Sequence, residues 1–285
     1  MLIGESPLWH PGETALYWVD IAGFSVHRYQ PASGALRTWR MPSEPAAIAR
    51  CASSGLMVAM RSGFARLDTG SGELRPVAPA PYDVAHMRFN DGRCDAHGRF
   101  WVGTLYEPRD RQQASMVCLE RGKVRTAWEN GFTVSNGLAF SPDNRLMYHA
   151  DTTSHTIFRR DFDVRAGQVG EARPWKRFPS DRGMPDYIGR PDGAAVDREG
   201  AYWVAMFEGG RILRLSPDGD VLREIGLPLQ CPTMVAFGGE DLRTLYITSA
   251  SLNRSTEELA RLPLSGRVLA LRVDVPGRIE PAYLG

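Results

Sequence analysis

Apolar and aromatic residues come along this chain in short runs, each closed by a turn carrying Gly, Asp or Asn. One phrase recurs: an aromatic-rich apolar strand, a small polar break, then a second strand ending in Arg, Leu or Asp. It reads 15–20 with 25–29, 55–60 with 63–68, and 98–105 with 114–119. It returns as 145–151 with 156–161, 201–206 with 210–215, and 244–249 with 266–271. Val, Ile, Tyr, Phe and Trp dominate these runs and suit a pleated, half-buried surface. Ser141-Pro142-Asp143-Asn144, Asp197-Arg198-Glu199-Gly200 and Ser216-Pro217-Asp218-Gly219 supply turn chemistry between them. Six copies in 285 residues give a period of about 47, within the range of propeller repeats. No sustained helical period appears; only 256–262 reads as one short helix. The pattern predicts an all-β, six-bladed β-propeller of four-stranded blades, with residues 1–285 as a single domain. A two-sheet sandwich would leave six copies at one period unexplained. Trp18, Trp101 and Trp203 recur at one strand position of the repeat and read as packing between blades rather than as a sugar platform.

Composition narrows the partners more than the fold. Lys and Arg total 34 against 33 Asp and Glu, a net charge of +1. Such a balance gives no electrostatic reason to expect nucleic acid or an anionic membrane. No apolar run approaches the ~20 residues of a spanning helix. Met1-Leu2-Ile3-Gly4-Glu5 lacks the basic and apolar regions of a signal peptide. Cys51, Cys94, Cys118 and Cys231 form no C-x-x-C pair, so reduced thiols and a cytoplasmic location are expected. The 29 glycines and 20 prolines are spread throughout, as many short elements joined by turns require.

The chain holds no G-x-S-x-G, H-E-x-x-H, Walker loop, G-x-G-x-x-G or EF-hand loop. Its six histidines do not pair at ligand spacing. What remains is carboxylate and amide chemistry. Four segments stand out: Gly4-Glu5-Ser6-Pro7-Leu8-Trp9, Arg88-Phe89-Asn90-Asp91-Gly92, Ser135-Asn136-Gly137-Leu138 and Arg190-Pro191-Asp192-Gly193. They read as loops just before the innermost strands of four blades. That placement aims Glu5, Asn90, Asn136 and Asp192 at the axis. Singly, each has a plain reading. Glu5 could be a solvated terminal carboxylate. The Asn-Gly, Asp-Gly and Asn-Asp-Gly pieces could be turns. Arg88 could be a surface ion pair. None of these explains the recurrence in four blades.

In this order and spacing the segments resemble the senescence-marker-protein/gluconolactonase family, which includes regucalcin and the bacterial sugar lactonases. The resemblance runs from Ile3 to about Val275. It implies a six-bladed propeller, in agreement with the repeat count. It also implies that Glu5, Asn136 and Asp192 ligate a divalent metal and that Arg88 and Asn90 contact substrate. Glu107 lies one position from the place of a further substrate-contacting acid and is left out of the set. Family members usually carry more residues before the Gly-Glu motif than this chain does.

Two carboxylates and an amide make an all-oxygen set suited to Ca²⁺ first, then Mg²⁺ or Mn²⁺, with Zn²⁺ or Fe²⁺ as alternatives. The expected activity is hydrolysis of a sugar lactone, a small-molecule substrate. In that reading the metal polarises the carbonyl, Asp192 accepts the proton of water, and Arg88 and Asn90 grip the ring. The segment 184–189 could form a rim over the pocket. Two other readings stay open. One is a metal-binding propeller without catalysis; the other is a hydrolase of activated phosphoesters or aryl esters, which would need an apolar pocket.

Overall fold

The computed structural model describes residues 1–285. Six antiparallel sheets follow one another in chain order around an axis. Their innermost strands are Gly4–His10, Pro45–Arg50, Met87–Cys94, Ser135–Phe140, Arg190–Val196 and Pro232–Gly238. Each packs against the next, and the sixth packs back on the first. Blades one, two, three and five have four strands. Blade four has five, because the short strand Gln168–Val169 pairs with the long third strand Thr156–Asp163. Blade six has three, which departs from the expected four. Between its last two strands, Thr256–Arg261 forms the short helix, with the Ser255 side chain capping Glu258 N–H.

The repeated pairs of strands seen in the sequence are the second and third of each blade. Their side chains alternate between the two neighbouring blades, as a period of two dictates. Six apolar clusters result, one in each seam. Trp101 fills the seam between blades three and four, and Trp203 that between five and six. Their indole N–H groups donate to Asp95 and Asp197, each at 2.8 Å. Trp18 also packs between blades but turns to the preceding blade, and its N–H has no partner. It therefore does not share the strand position of the other two.

The innermost strands correct one expectation. The four polar segments are not loops before strands; they lie inside them, at β-bulges. Glu5 pairs with Val19 and Leu8 with Tyr17, so two residues oppose one across Trp18. The same irregularity separates Phe89 from Gly92, Asn136 from Ala139, Pro191 from Ala194 and Pro232 from Val235. A bulge re-aims a side chain that the regular pleat would bury in a seam. Glu5 and Asn136 hold the last paired position before the bulge, whereas Asn90 and Asp192 lie within it. The glycines that follow serve crowding at the axis. Gly137 has φ +60°, and a Cβ there would meet the Tyr202 hydroxyl at 2.2 Å and Asp192 O at 3.0 Å.

Ring closure joins the start of the chain to blade six. Ile3 bridges Ala250, the N-terminal amine donates to Gly266 O at 2.6 Å, and Thr233 Oγ1 donates to Gly4 O at 2.5 Å. Asp20 fixes this entry by accepting from Leu2 and Ile3 N–H, each at 2.9 Å. Asp151 does the same for Thr133 and Val134 in blade four. At the far ends of the innermost strands the C-terminal segment crosses the axis. Tyr283 exchanges backbone bonds with Arg50 and Ala52, and Glu280 pairs with Arg93. The Arg93 guanidinium also donates to Leu138 O at 2.8 Å and Ala194 O at 2.5 Å, tying blades three, four and five beneath the axis. No helix is long and apolar enough to cross a membrane.

Candidate functional site

At the other end of the axis, where the innermost strands begin, lies a cavity of about 340 Å³. Glu5, Arg88, Asn90, Asn136 and Asp192 all line it, so the structure brings the whole predicted set together. Four of them are buried, at 6%, 8%, 3% and 6% exposure for Glu5, Asn90, Asn136 and Asp192. Glu5 is therefore not a frayed terminal carboxylate. Burial of unpaired polar groups is costly, and the site meets that cost with a relay of hydrogen bonds. Arg88 Nη1 donates to Asn90 Oδ1 at 2.7 Å. Asn90 Nδ2 donates to Asn136 Oδ1 and to Ser135 O, each at 2.8 Å. Asn136 Nδ2 donates to Thr152 Oγ1, and the Thr152 hydroxyl donates to Pro191 O, again at 2.8 Å. The relay crosses blades three to five and ends one residue from Asp192. It fixes both amides, since the Thr152 oxygen can only accept from Asn136 once its proton is committed to Pro191.

The two carboxylates stand apart from this relay. Glu5 accepts only Ser6 N–H, at 3.0 Å, and the Asp192 side chain accepts no side-chain donor. Burial pushes Glu5 well above the ordinary carboxylate range, and the negative charges of Asp192 and Asp91 push it further. Burial does the same to Asp192, again with Asp91 adding to it. Burial also presses the Arg88 guanidinium below its usual value, against the pull of Glu107. Glu107 itself does not line the cavity; it pairs with Arg61 at 2.5 Å and stands 4.0 Å from Arg88.

Several contributors escaped the sequence reading. Thr152 orients Asn136; the only signal was its place beside Asp151 at the end of a second strand. Asp91 was in view within Arg88-Phe89-Asn90-Asp91-Gly92, but its side chain turns away from the cavity. Its Oδ2 accepts Leu138 N–H at 2.8 Å, its Oδ1 is buried without a partner, and its charge bears on both cavity carboxylates. No residue of the segment 184–189 lines the cavity, and its hydrogen-bonded tie to the lining runs through Tyr187. Tyr187 OH donates to Glu208 Oε2 at 3.2 Å, and Arg182 and Glu208 beside it line the cavity.

As a metal centre the site is sparse in charge. No three His, Cys, Asp or Glu side chains anywhere in the chain assemble to hold an ion. Here two carboxylates are joined by one amide. Those carboxylates are buried, close enough to repel, and without a hydrogen-bonded cation. An oxygen-preferring divalent ion fits that set, because it would offset both charges at once.

Residues 3–251 match the SMP-30/gluconolactonase/LRE-like region. A 6-deoxy-6-sulfogluconolactonase of Pseudomonas putida is 48% identical over 284 residues, covering 100% of this chain and 96% of the relative. Regucalcin of Gallus gallus is 31% identical, covering 94% and 90%. The crystal structure of a calcium-binding protein, regucalcin, from Agrobacterium tumefaciens superposes with a TM-score of 0.93 at 29% identity, covering 99% and 94%. Bulged innermost strands, a polar axial cavity and a match over most of the chain lead to one assignment: this chain belongs to the SMP-30/gluconolactonase/LRE-like family.

Proposed function

We propose that this chain is a metal-dependent sugar lactonase, with a divalent cation held by Glu5, Asn136 and Asp192. The carrying observation is the pair of buried, unneutralised carboxylates at the floor of a cavity that Arg88 and Asn90 also line. Relatives named as lactonases across the full chain length support the reaction class. A lactone is a cyclic ester, and its hydrolysis needs a polarised carbonyl, an activated water and a stabilised oxyanion. The bound cation would supply Lewis acidity at the carbonyl oxygen, worth several kcal/mol.

The chain's own groups do the rest. Asp192 holds a carboxylate at the floor of the cavity, where it accepts the proton of the attacking water. Arg88, locked to Asn90 Oδ1 at 2.7 Å, presents its remaining N–H groups to the lactone oxygens. Asn90, whose two amide protons go to Ser135 O and Asn136 Oδ1, offers its Oδ1 as an acceptor for a substrate hydroxyl. Together they set the orientation of the lactone. Asn136 keeps one free lone pair on Oδ1 after accepting from Asn90, which leaves an oxygen for the cation. Only seven of the 21 lining residues are hydrophobic, which favours a hydroxylated ring over an aryl ester. The cavity volume also suits a single small ligand. The substrate is a small molecule, and the reading carries a cytoplasmic site of action.

A pH-drop assay against a panel of five- and six-membered aldonolactones, run with Ca²⁺, Mg²⁺, Mn²⁺ or Zn²⁺, tests the reading. Hydrolysis above the spontaneous rate is expected for at least one; none with any metal would reject it. In the same assay Arg88→Ala lowers kcat/KM while metal affinity, read by calorimetry, stays within about twofold, since Arg88 grips substrate and not the ion. Loss of metal binding in this variant would show its role to be misassigned.

A further inference from the structure

The cavity is lined by five arginines against three carboxylates. Two of the carboxylates, Glu5 and Asp192, lie at the floor and are committed to the cation if the lactonase reading holds. Arg254 pairs with Glu258 at 3.7 Å, which leaves Glu208 as the one acid facing Arg182 and Arg190. Its Oε2 is shared between Arg182 at 2.9 Å and Arg190 at 3.1 Å, so the pair keeps a net positive charge. Arg190 lies 5.3 Å over the Phe207 ring, which sets the plane of its guanidinium, and its buried Nε has no partner. On the wall supplied by blade three, Arg109 makes no side-chain hydrogen bond or ion pair. The two acids nearest in sequence are taken by other arginines, Asp110 by Arg111 at 3.4 Å and Glu107 by Arg61. A neutral sugar lactone gives no reason for this surplus.

We infer that the cavity mouth is an anion subsite built by Arg109, Arg182 and Arg190, and that the substrate is a sugar lactone bearing a sulfonate or phosphate. The inference rests on the lactonase reading for the ring and on the arginines for the charge. Depth fixes which end of the substrate meets which group. Glu5, Asn90, Asn136 and Asp192 are buried at the floor, whereas the Arg182 side chain is 61% exposed at the mouth. The reacting carbonyl therefore goes down and the anionic substituent stays outermost, on the carbon farthest from that carbonyl. Guanidinium forks match the paired oxygens of sulfonate and phosphate, and such charge-assisted bonds are the strong ones.

The test compares gluconolactone with its 6-sulfonated and 6-phosphorylated forms on the metal-loaded enzyme. Wild type should prefer a charged form by about tenfold or more in kcat/KM at low salt, with the preference shrinking as salt screens it. Which charged form is faster separates sulfonate from phosphate. Arg182→Gln and Arg109→Gln, both at exposed positions, should cut the charged substrate about tenfold and leave the neutral one within about twofold. Preference for the neutral lactone, or an equal fall on both substrates, would overturn the subsite. Calorimetry with 6-sulfogluconate, the open-chain acid, separates the two readings. Binding to wild type but not to the two variants, with no lactone hydrolysed, would keep the subsite and remove the lactonase. Lactone hydrolysis with no binding of this anion would do the reverse.

Discussion

Asp192→Asn should lower lactone turnover by ~10²-fold or more at saturating metal, the usual worth of a positioned base. The substitution keeps an oxygen donor of the same size at the same place in the bulge of blade five. It removes the charge and the basicity. Metal affinity should fall as well, so the rate must be read on a sample whose occupancy has been confirmed. The fold should not suffer. Asp192 accepts no side-chain donor, the asparagine oxygen can still take the Gly193 N–H, and the lost charge was raised in energy by burial and by Asp91. Metal-free Asp192→Asn should therefore melt no lower than metal-free wild type. A metal serving structure alone would give a thermal loss in step with lost metal and no separate rate defect. Near-wild-type kcat would reject Asp192 as the base and direct attention to Glu5.

Asp95→Ala should cost about 3–5 kcal/mol in unfolding free energy, as breaking a buried ion pair does. Asp95 is fully buried against Arg99, itself 3% exposed, with Nε to Oδ2 at 2.7 Å. The same oxygen accepts the Trp101 indole, and Oδ1 accepts the backbone N–H of His97 and Arg99. Removing the carboxylate strands a guanidinium, an indole and two amides in one seam. The matching change in blade five should cost less. Asp197 holds Trp203 and Arg214 in the same way, but Arg214 is 14% exposed and keeps Glu199 at 2.6 Å. Denaturant titration of both variants checks the order. Equal losses, or a loss below about 1 kcal/mol for Asp95→Ala, would contradict it.

The propeller was legible because the second and third strands of each blade bury both faces between neighbours. Their aromatic runs repeat cleanly. The innermost strands were not legible as strands. Asn136-Gly137 and Asp192-Gly193 carry turn chemistry, and only the axial crowding around Gly137 shows why a glycine belongs inside a buried strand there. Polar residues in such strands break the local rule at the site that uses them. The mismatch of Trp18 with Trp101 and Trp203 has a related cause. The bulge falls opposite Trp18 in blade one but opposite Gly103 and Ala205 in blades three and five. An apparent repeat position in sequence is then not one in space. The five residues that line the cavity floor and wall were legible because they sit in four local motifs, one to a blade. Thr152, Arg109 and Arg182 were missed because their place depends on contacts across blades, which no local pattern records.

The central claim is that a divalent cation at Glu5, Asn136 and Asp192 is needed for lactone hydrolysis. Its most direct test is turnover of one preferred lactone by protein stripped of metal, verified by elemental analysis, then reloaded. The account predicts that activity disappears on stripping and returns with about one divalent ion per chain, while the β-type circular dichroism is unchanged throughout, because the six seams hold their own cores. Full activity in the verified metal-free protein would contradict it.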